Sequence, residues 1–146
     1  MVPIAIAGVE SDWNPFILRV NSRKRIIVKG VKIIRRIGQN VFYCHDKATC
    51  TALAYALIEK GFKNIDLGAF QLNYYHQKKR DRNFSPEIAF DVRKAYRRVC
   101  RIVAGNFKLQ GRTANAVALF HSARPERNYW YAKRFWKIYT KLKEGK

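Results

Sequence analysis

The chain has 146 residues, with 30 lysines and arginines against 10 aspartates and glutamates, which gives a formal net charge of +20. This length suits a single domain over residues 1–146, and no apolar stretch reaches the roughly 18 residues of a membrane span. The charge allows a polyanionic partner. Because the basic residues are spread along the whole chain without a recognition motif, nucleic acid is not favoured as that partner.

The first predicted element is a short helix over residues 4–15, which its final proline ends because a residue before proline is pushed out of the helical region. On this helix Glu10 lies beside Ile6 and Ala7 one turn back and Trp13 one turn on. Apolar surroundings and the negative end of the helix dipole both disfavour a charged carboxylate. Glu10 is therefore a candidate for an acid held protonated near neutral pH; the alternative is an ordinary exposed glutamate at a helix end.

A region rich in β-branched residues follows. Residues 26–28 and 31–34 are predicted to form two strands around a turn at 29–30. A second turn at 38–40 leads to a third strand at 41–43. The region is predicted to be a small antiparallel sheet or a long hairpin.

The rest of the chain is predicted to be helical, in four segments at 46–61, 85–105, 113–120 and 125–142. Each begins at a capping residue or a proline, and the first two end at glycines. Residues 64–76 connect the first two. The residues predicted to face the core in the second and last of these helices are Ile88, Val92, Ala95, Tyr96, Val99 and Val103, and Ala132, Phe135, Trp136, Tyr139 and Leu142. The predicted fold class is α+β and mostly helical.

The three cysteines are Cys44, Cys50 and Cys100. They form no CxxC pair and no metal-ligand spacing with the histidines, so we predict no metal site and no cofactor. A short disulfide between Cys44 and Cys50 in an oxidising compartment and three buried thiols are both compatible with the sequence.

Three segments together resemble the lytic transglycosylases of the soluble-lytic-transglycosylase type. They are Glu-Ser-Asp-Trp-Asn-Pro at 10–15, Asp-Leu-Gly-Ala-Phe-Gln-Leu-Asn at 66–73, and Ala-Val-Ala-Leu-Phe-His-Ser at 116–122, followed by Tyr131. The family has Glu-Ser with Asn-Pro, Gly-Leu-Met-Gln-Ile-Asn and Ala-x-x-Tyr-Asn/His-x-Gly/Ser in the same order. The chain is most similar to small members that accompany secretion, conjugation and pilus machines and carry a β-rich insertion after Asn-Pro.

The resemblance implies a lysozyme-like fold and cleavage of the β-1,4 bond between N-acetylmuramic acid and N-acetylglucosamine in peptidoglycan. Glu10 matches the family's single catalytic acid/base, which protonates the glycosidic oxygen and then takes a proton from the C6 hydroxyl of the muramoyl residue. The product is a 1,6-anhydro sugar. The resemblance also implies a periplasmic or cell-envelope location, glycan strands as substrate, and secretion, conjugation or pilus components as candidate partners.

Further residues match substrate-contacting positions of that family. Gln71 is expected to bind sugar acetamido groups with support from Asn73. Phe70 is expected to form an apolar floor under a sugar ring. Phe120 stands where many relatives have a tyrosine, whose hydroxyl approaches the catalytic carboxyl. The expected substrate-binding residues are Ser11, Phe70, Gln71, Asn73, Phe120, His121 and Tyr131.

Three alternatives stay open at this point. Asp66 is either a loop aspartate that caps the turn before Gly68, or the base of an inverting muramidase similar to goose-type lysozymes, for which the two carboxyls stand roughly 6.5–9.5 Å apart. Two readings without catalysis are a basic nucleic-acid-binding module and a passive component of a secretion assembly that docks through the β-rich region. No export signal is recognised, and the sequence leaves open whether a segment precedes Met1.

Overall fold

The computed structural model describes residues 1–29, 32–36, 39–122 and 128–145. Over these ranges the fold is α+β, with seven helices and a five-stranded antiparallel sheet, as the predicted fold class requires. The helices are α1 (Val2–Ser11), α2 (Lys47–Glu59), α3 (Tyr74–Arg80), α4 (Pro86–Phe90), α5 (Val92–Gln110), α6 (Ala114–Ala118) and α7 (Asn128–Lys143). The strands are β1 (Ile17–Val20), β2 (Lys32–Arg36), β3 (Gln39–Tyr43), β4 (Ile65–Leu67) and β5 (Leu72–Asn73). None of the described helices is long and apolar enough to span a membrane.

The sheet has the strand order β2-β3-β1-β4-β5 and presents two chemically different faces. Because side chains alternate along a strand, the register Phe42–Leu18–Leu67 puts these three residues on one face. That face is buried in the core. The next register row, Val41–Arg19–Asp66, lies on the opposite face together with Asn73. The sheet therefore separates an apolar core from a polar surface.

The predicted strand at 26–28 is wrong. This segment forms no ladder, because its backbone is bound by the side chain of Asn40, which is 1% exposed. The Asn40 amide donates to the carbonyls of Ser22 and Lys24 at 3.1 and 3.0 Å, and its oxygen accepts from the Ile26 N–H at 3.2 Å. One buried amide thus takes the place of a strand partner. The predicted strands at 31–34 and 41–43 correspond to β2 and β3, although residue 31 lies outside the described ranges.

The connecting segment predicted at 64–76 is also wrong, since it contains β4, β5 and the start of α3. Strand β1 likewise had no predicted counterpart. Both β4 and β5 are very short, and their pairing with β1 extends the sheet beyond the predicted region. These two strands bring the Gly68–Gln71 segment beside the end of α1.

The predicted helix at 85–105 is two helices. The chain breaks at Asp91, whose side chain accepts from the Lys94 N–H at 3.0 Å and caps α5. Gly105 lies within α5, and the helix ends at Gly111, where φ is +67°. A left-handed residue favours glycine, so Gly111 is the better stop signal.

Two residues predicted to face the core are exposed, Val92 at 50% and Trp136 at 45%. The break at Asp91 makes Val92 the first residue of α5 instead of part of a continuous stripe. On α7 the core side is carried by Tyr131 and Phe135, and Trp136 is one position away from that side. The predicted start of the last helix at 125–126 lies outside the described residues.

The structure decides the open question about the cysteines, because Cys44 and Cys50 form a disulfide. The bond ties the residue after β3 to the first turns of α2, whose predicted N-cap Asp46 accepts from the Thr49 N–H at 2.8 Å. Cys100 is a free cysteine.

Candidate functional site

Glu10 lies in the last turn of α1, and its side chain is only 9% exposed. The apolar neighbours in the sequence predicted this burial. The helix ends at Ser11, earlier than the predicted stop at Pro15, because Asp12 and Trp13 both adopt left-handed conformations, with φ of 52° and 61°. This reversal of the chain directs the segment after Glu10 into β1.

Trp13 holds the reversal in place by folding back over α1. Its indole N–H donates to the Ile4 carbonyl at 3.0 Å, and its ring lies against Gly8. A Cβ at position 8 would lie 2.6 Å from the ring carbon Cζ2 of Trp13, so only glycine fits there. Gly8 and Trp13 therefore fix the direction in which α1 presents Glu10.

The second element of the site is the segment from Gly68 to Gln71. The Ser11 hydroxyl is within 2.7 Å of the Ala69 carbonyl and 3.1 Å of the Ala7 carbonyl, which ties the segment to α1. Gly68 has φ of +72°, and a Cβ there would lie 2.3 Å from the Ala89 carbonyl oxygen. Ser11 thus has a structural tie to α1 and this segment, while it also lines the site.

The third element is a pair of stacked rings facing Glu10. The rings of His121 and Tyr131 are 4.6 Å apart at an interplanar angle of 14°. The His121 Nδ1 lies 3.6 Å from the Glu10 Oε1, just beyond hydrogen-bond distance. Two of the predicted substrate-binding residues therefore come together at the predicted acid.

The Tyr131 hydroxyl lies in the same cavity as Glu10 and interacts with it electrostatically. Tyr131 is 5% exposed, and its hydroxyl forms no hydrogen bond of good geometry with any described residue. Burial, together with the adjacent Glu10 carboxylate, raises the pKa of Tyr131. The hydroxyl therefore keeps its proton and remains a donor beside the carboxyl group. Phe120 is half-buried at the edge of the core and brings no hydroxyl.

Two cavities of about 90 and 260 Å³ meet at Glu10, and we call them together the Glu10 cleft. Both are lined by Val9, Glu10, Arg19 and Arg134. The smaller adds Ser11, Asp12, Ile17, Val41 and Tyr43, and the larger adds His121, Trp130 and Tyr131. Their combined size lies just above the lower end of ordinary ligand pockets, roughly 300 Å³.

Asp66 lies directly across the strands from Arg19, on the polar face of the sheet. Its two oxygens accept from the side-chain amides of Asn21 at 2.8 Å and Asn73 at 2.7 Å. Burial raises the pKa of Asp66, with a smaller contribution from the Glu10 carboxylate, against the lowering effect of the two amides and Arg19. The Asp66 carboxyl is thus held in place by two hydrogen bonds, and the charge of Glu10 affects its pKa.

The remaining predicted contacts lie away from the cleft lining. Phe70 is 3% exposed in the core and packs near Tyr96, with ring centres 6.4 Å apart, so we assign it to packing. Gln71 is 8% exposed, and its amide donates to the Gly68 carbonyl at 2.8 Å, while its Oε1 is buried without a partner among the described residues. Asn73 supports Asp66 and caps α3, where sequence reasoning expected it to support Gln71.

Sequence reasoning missed Arg19, Arg134 and Trp130. Arg19 is the one charged residue in the apolar run Phe-Ile-Leu-Arg-Val at 16–20, and strand alternation could have indicated its polar face. Arg134 pairs with Asp12 at 2.7 Å and links α7 to the end of α1. Trp130 is 70% exposed, and no sequence signal indicated its position at the cleft.

Comparisons of the chain with protein-family models, with curated proteins and with solved structures found no match. In the described part of the chain, no group of three or more His, Cys, Asp and Glu side chains is arranged to hold a metal ion.

Proposed function

We propose that this chain is a peptidoglycan lytic transglycosylase with a lysozyme-like fold and Glu10 as its acid/base. The observation that carries the proposal is the setting of Glu10. A largely buried carboxyl opens onto both cavities of a cleft, beside a buried tyrosine hydroxyl that keeps its proton. A glycosidase needs a carboxyl group that can reach the glycosidic oxygen in a site shielded from bulk water.

In the first step Glu10 donates its proton to the glycosidic oxygen as the bond between that oxygen and C1 of the muramoyl residue breaks. Positive charge develops on the sugar ring, and the carboxylate left on Glu10 lies in the cleft to stabilise it. The hydroxyl of Tyr131 can then donate to this carboxylate. The ring of His121 stacks on that of Tyr131.

In the second step the oxygen of the muramoyl C6 hydroxyl bonds to C1 and its proton passes to Glu10, which regenerates the acid. This ring closure uses one carboxyl group and no water. It fits a site in which the second carboxyl, Asp66, is bound at both oxygens by Asn21 and Asn73.

A second candidate, an inverting muramidase, is favoured by one observation. The Glu10 carboxylate contributes to the raised pKa of Asp66, so the two groups lie close enough to interact. In that reaction Asp66 would activate a water molecule against C1. The water would supply the oxygen of the new reducing end.

Digestion of purified sacculi in ¹⁸O-labelled water, followed by mass spectrometry of the released muropeptides, tests the proposal and separates the two candidates. A transglycosylase releases fragments with 1,6-anhydro ends and no ¹⁸O. Fragments with ¹⁸O at the reducing end would support the hydrolase. Intact sacculi after prolonged incubation with folded protein would contradict both.

The cellular setting is part of the same proposal. A disulfide between Cys44 and Cys50 persists in oxidising compartments, which supports a periplasmic or other envelope location. There the enzyme would open glycan strands around a secretion, conjugation or pilus apparatus. The net charge of +20 would hold it on the anionic wall without specifying a site of action.

A further inference from the structure

Arg19 is a cation at the centre of the Glu10 cleft. It lies in the middle of β1, between Val41 on β3 and Asp66 on β4, on the polar face of the sheet. It lines both cavities, as Glu10 does. A ligand in either cavity of the cleft therefore lies beside Arg19.

The Arg19 guanidinium lacks an anionic partner among the described residues, although Asp66 lies opposite it across the strands and Glu10 and Asp12 line the same cavity. Its Nε is buried and has no hydrogen-bond partner in the described part of the chain. Among the described residues, no carboxylate oxygen lies within 4.0 Å of it, since the described ion pairs involve other cations. Asp12 pairs with Arg134 at 2.7 Å, and the His121 Nδ1 lies 3.6 Å from Glu10.

Asp66, the cross-strand neighbour of Arg19, also has hydrogen-bond partners of its own. Asn21 and Asn73 donate to its two oxygens, so its interaction with Arg19 is through space only. Asp12 and Asp66 thus have partners of their own, and Arg19 has none among the described residues. A part-buried cation with an unsatisfied donor is costly, because both its charge and its N–H have lost water.

We propose that Arg19 forms a carboxylate-binding subsite for an acidic group carried by the muramic acid of the substrate. The inference rests on the proposed function, which supplies the substrate class. The planar guanidinium matches a carboxylate in a two-pronged hydrogen bond, and this pairing is stronger and more directional than one with an ammonium group. Two sources offer the same chemistry: the free lactyl carboxylate of peptide-free strands and the carboxylates of the stem peptide.

Binding measured by calorimetry in a Glu10→Gln background tests the subsite without bond cleavage. The probes are peptidoglycan oligosaccharides with stem peptides, peptide-free oligosaccharides with free lactyl groups, and chitin oligosaccharides of equal length, which lack carboxylates. We expect at least one carboxylate-bearing probe to bind about tenfold or more tighter than chitin. Whichever probe shows the preference identifies the source of the carboxylate.

Adding Arg19→Gln should remove this preference and leave chitin binding unchanged. The control is Arg101→Gln, which removes the same charge from an exposed residue of α5 and should keep the preference for carboxylate-bearing probes. Should Arg19→Gln fail to fold, Arg19→Lys serves instead, and the preference should fall several-fold because an ammonium group cannot bind in two prongs. Equal binding of all probes, or a preference that survives the loss of the guanidinium, would overturn the inference.

The outcome is separable from that of the proposed function. A protein that binds acidic glycans through Arg19 but never cleaves sacculi would contradict the enzyme and keep the subsite. A protein that cleaves sacculi and shows no carboxylate preference would support the enzyme and contradict the subsite.

Discussion

Two arginines of this molecule have opposite surroundings. On α5, Arg98 donates from Nε to Gln77 at 2.6 Å and from a terminal nitrogen to Asp81 at 2.8 Å, and its guanidinium lies 4.8 Å from the centre of the Phe84 ring. We call these four residues the Arg98 network. Arg19, in the Glu10 cleft, has a buried Nε with no hydrogen-bond partner among the residues that the structure describes.

The different surroundings of Arg98 and Arg19 indicate that the first arginine serves stability and the second serves ligand binding. Polar groups in the Arg98 network satisfy one another, and such groups hold elements together. The Glu10 cleft instead holds two buried polar groups that lack a partner among the described residues, the Arg19 Nε and the Tyr131 hydroxyl; the Gln71 Oε1 is another such group, outside the cleft. A fold tolerates such groups where a ligand completes them, so substitutions in the two regions should affect different measurements.

The largest expected effect on stability comes from Arg98→Met. The apolar stem is kept, but the buried oxygen of Gln77 loses its donor, and an unsatisfied buried group costs about 1–3 kcal/mol. Chemical denaturation should show this loss, while lysis of sacculi by the folded fraction stays unchanged. Arg101→Met, exposed on the same helix, should change the free energy of unfolding by less than about 0.5 kcal/mol. Equal losses of unfolding free energy in Arg98→Met and Arg101→Met would contradict a stabilising role of the Arg98 network.

Reduction of the disulfide should have the next largest effect. Cys44 and Cys50 close a short loop, and releasing such a loop costs about 2 kcal/mol in the chain-entropy description. Cys44→Ser combined with Cys50→Ala should lower the unfolding free energy by this order and leave lysis by the folded protein intact. A reducing agent should have no effect on the double variant. Loss of lysis in a folded double variant would show that the bond shapes the cleft.

Tyr131→Phe should lower activity and leave stability nearly unchanged, the opposite of the two preceding predictions. The Tyr131 hydroxyl has no good hydrogen bond with any described residue, so its removal should change the unfolding free energy by less than about 0.5 kcal/mol. If it donates to Glu10 during the reaction, lysis should fall about tenfold or more, the order expected for a hydrogen bond to a charged group. Tyr129→Phe, which alters an exposed residue of α7, is the matched control. An unchanged rate would exclude a part for the hydroxyl.

The smallest expected effect is a pH dependence. The hydrogen bond from Arg98 lowers the pKa of Asp81, so the stability from its charged form is present above the ordinary aspartate range and is lost as pH falls through the lowered folded pKa. The difference in stability between wild type and Asp81→Asn should therefore shrink in acid.

Asp66 has a raised pKa, and its protonation should favour the fold as pH falls. Parallel denaturation series at pH 7 and below pH 4 measure both trends, and a pH-independent Asp81 difference would contradict the first.

Local chemistry made part of this structure predictable. The apolar flanks of Glu10 indicated its burial, and Asp46 and Thr113 indicated two helix starts, since each effect acts within one or two helical turns. Asp91 carried the same capping chemistry, but the apolar spacing across it suggested one helix, and the cap prevailed.

Long-range pairing made the rest unpredictable. Arg19 meets Asp66 only because β1 pairs with β4, a strand of three residues with little pattern of its own. The role of Asn40 depends on carbonyls 16 and 18 positions away in the chain. Such contacts follow from register and burial, which short motifs do not determine.

Paired measurements on wild type and Glu10→Gln test the central claim most directly: release of soluble muropeptides from sacculi, and the free energy of unfolding, on the same preparations. A carboxyl kept for catalysis in a largely buried position should be dispensable for folding. We therefore expect the variant to fold at least as stably as wild type and to lose lysis by about a thousandfold or more. Glu59→Gln, an exposed substitution on α2, should change neither quantity. A folded Glu10→Gln protein that still opens sacculi would contradict the proposed site.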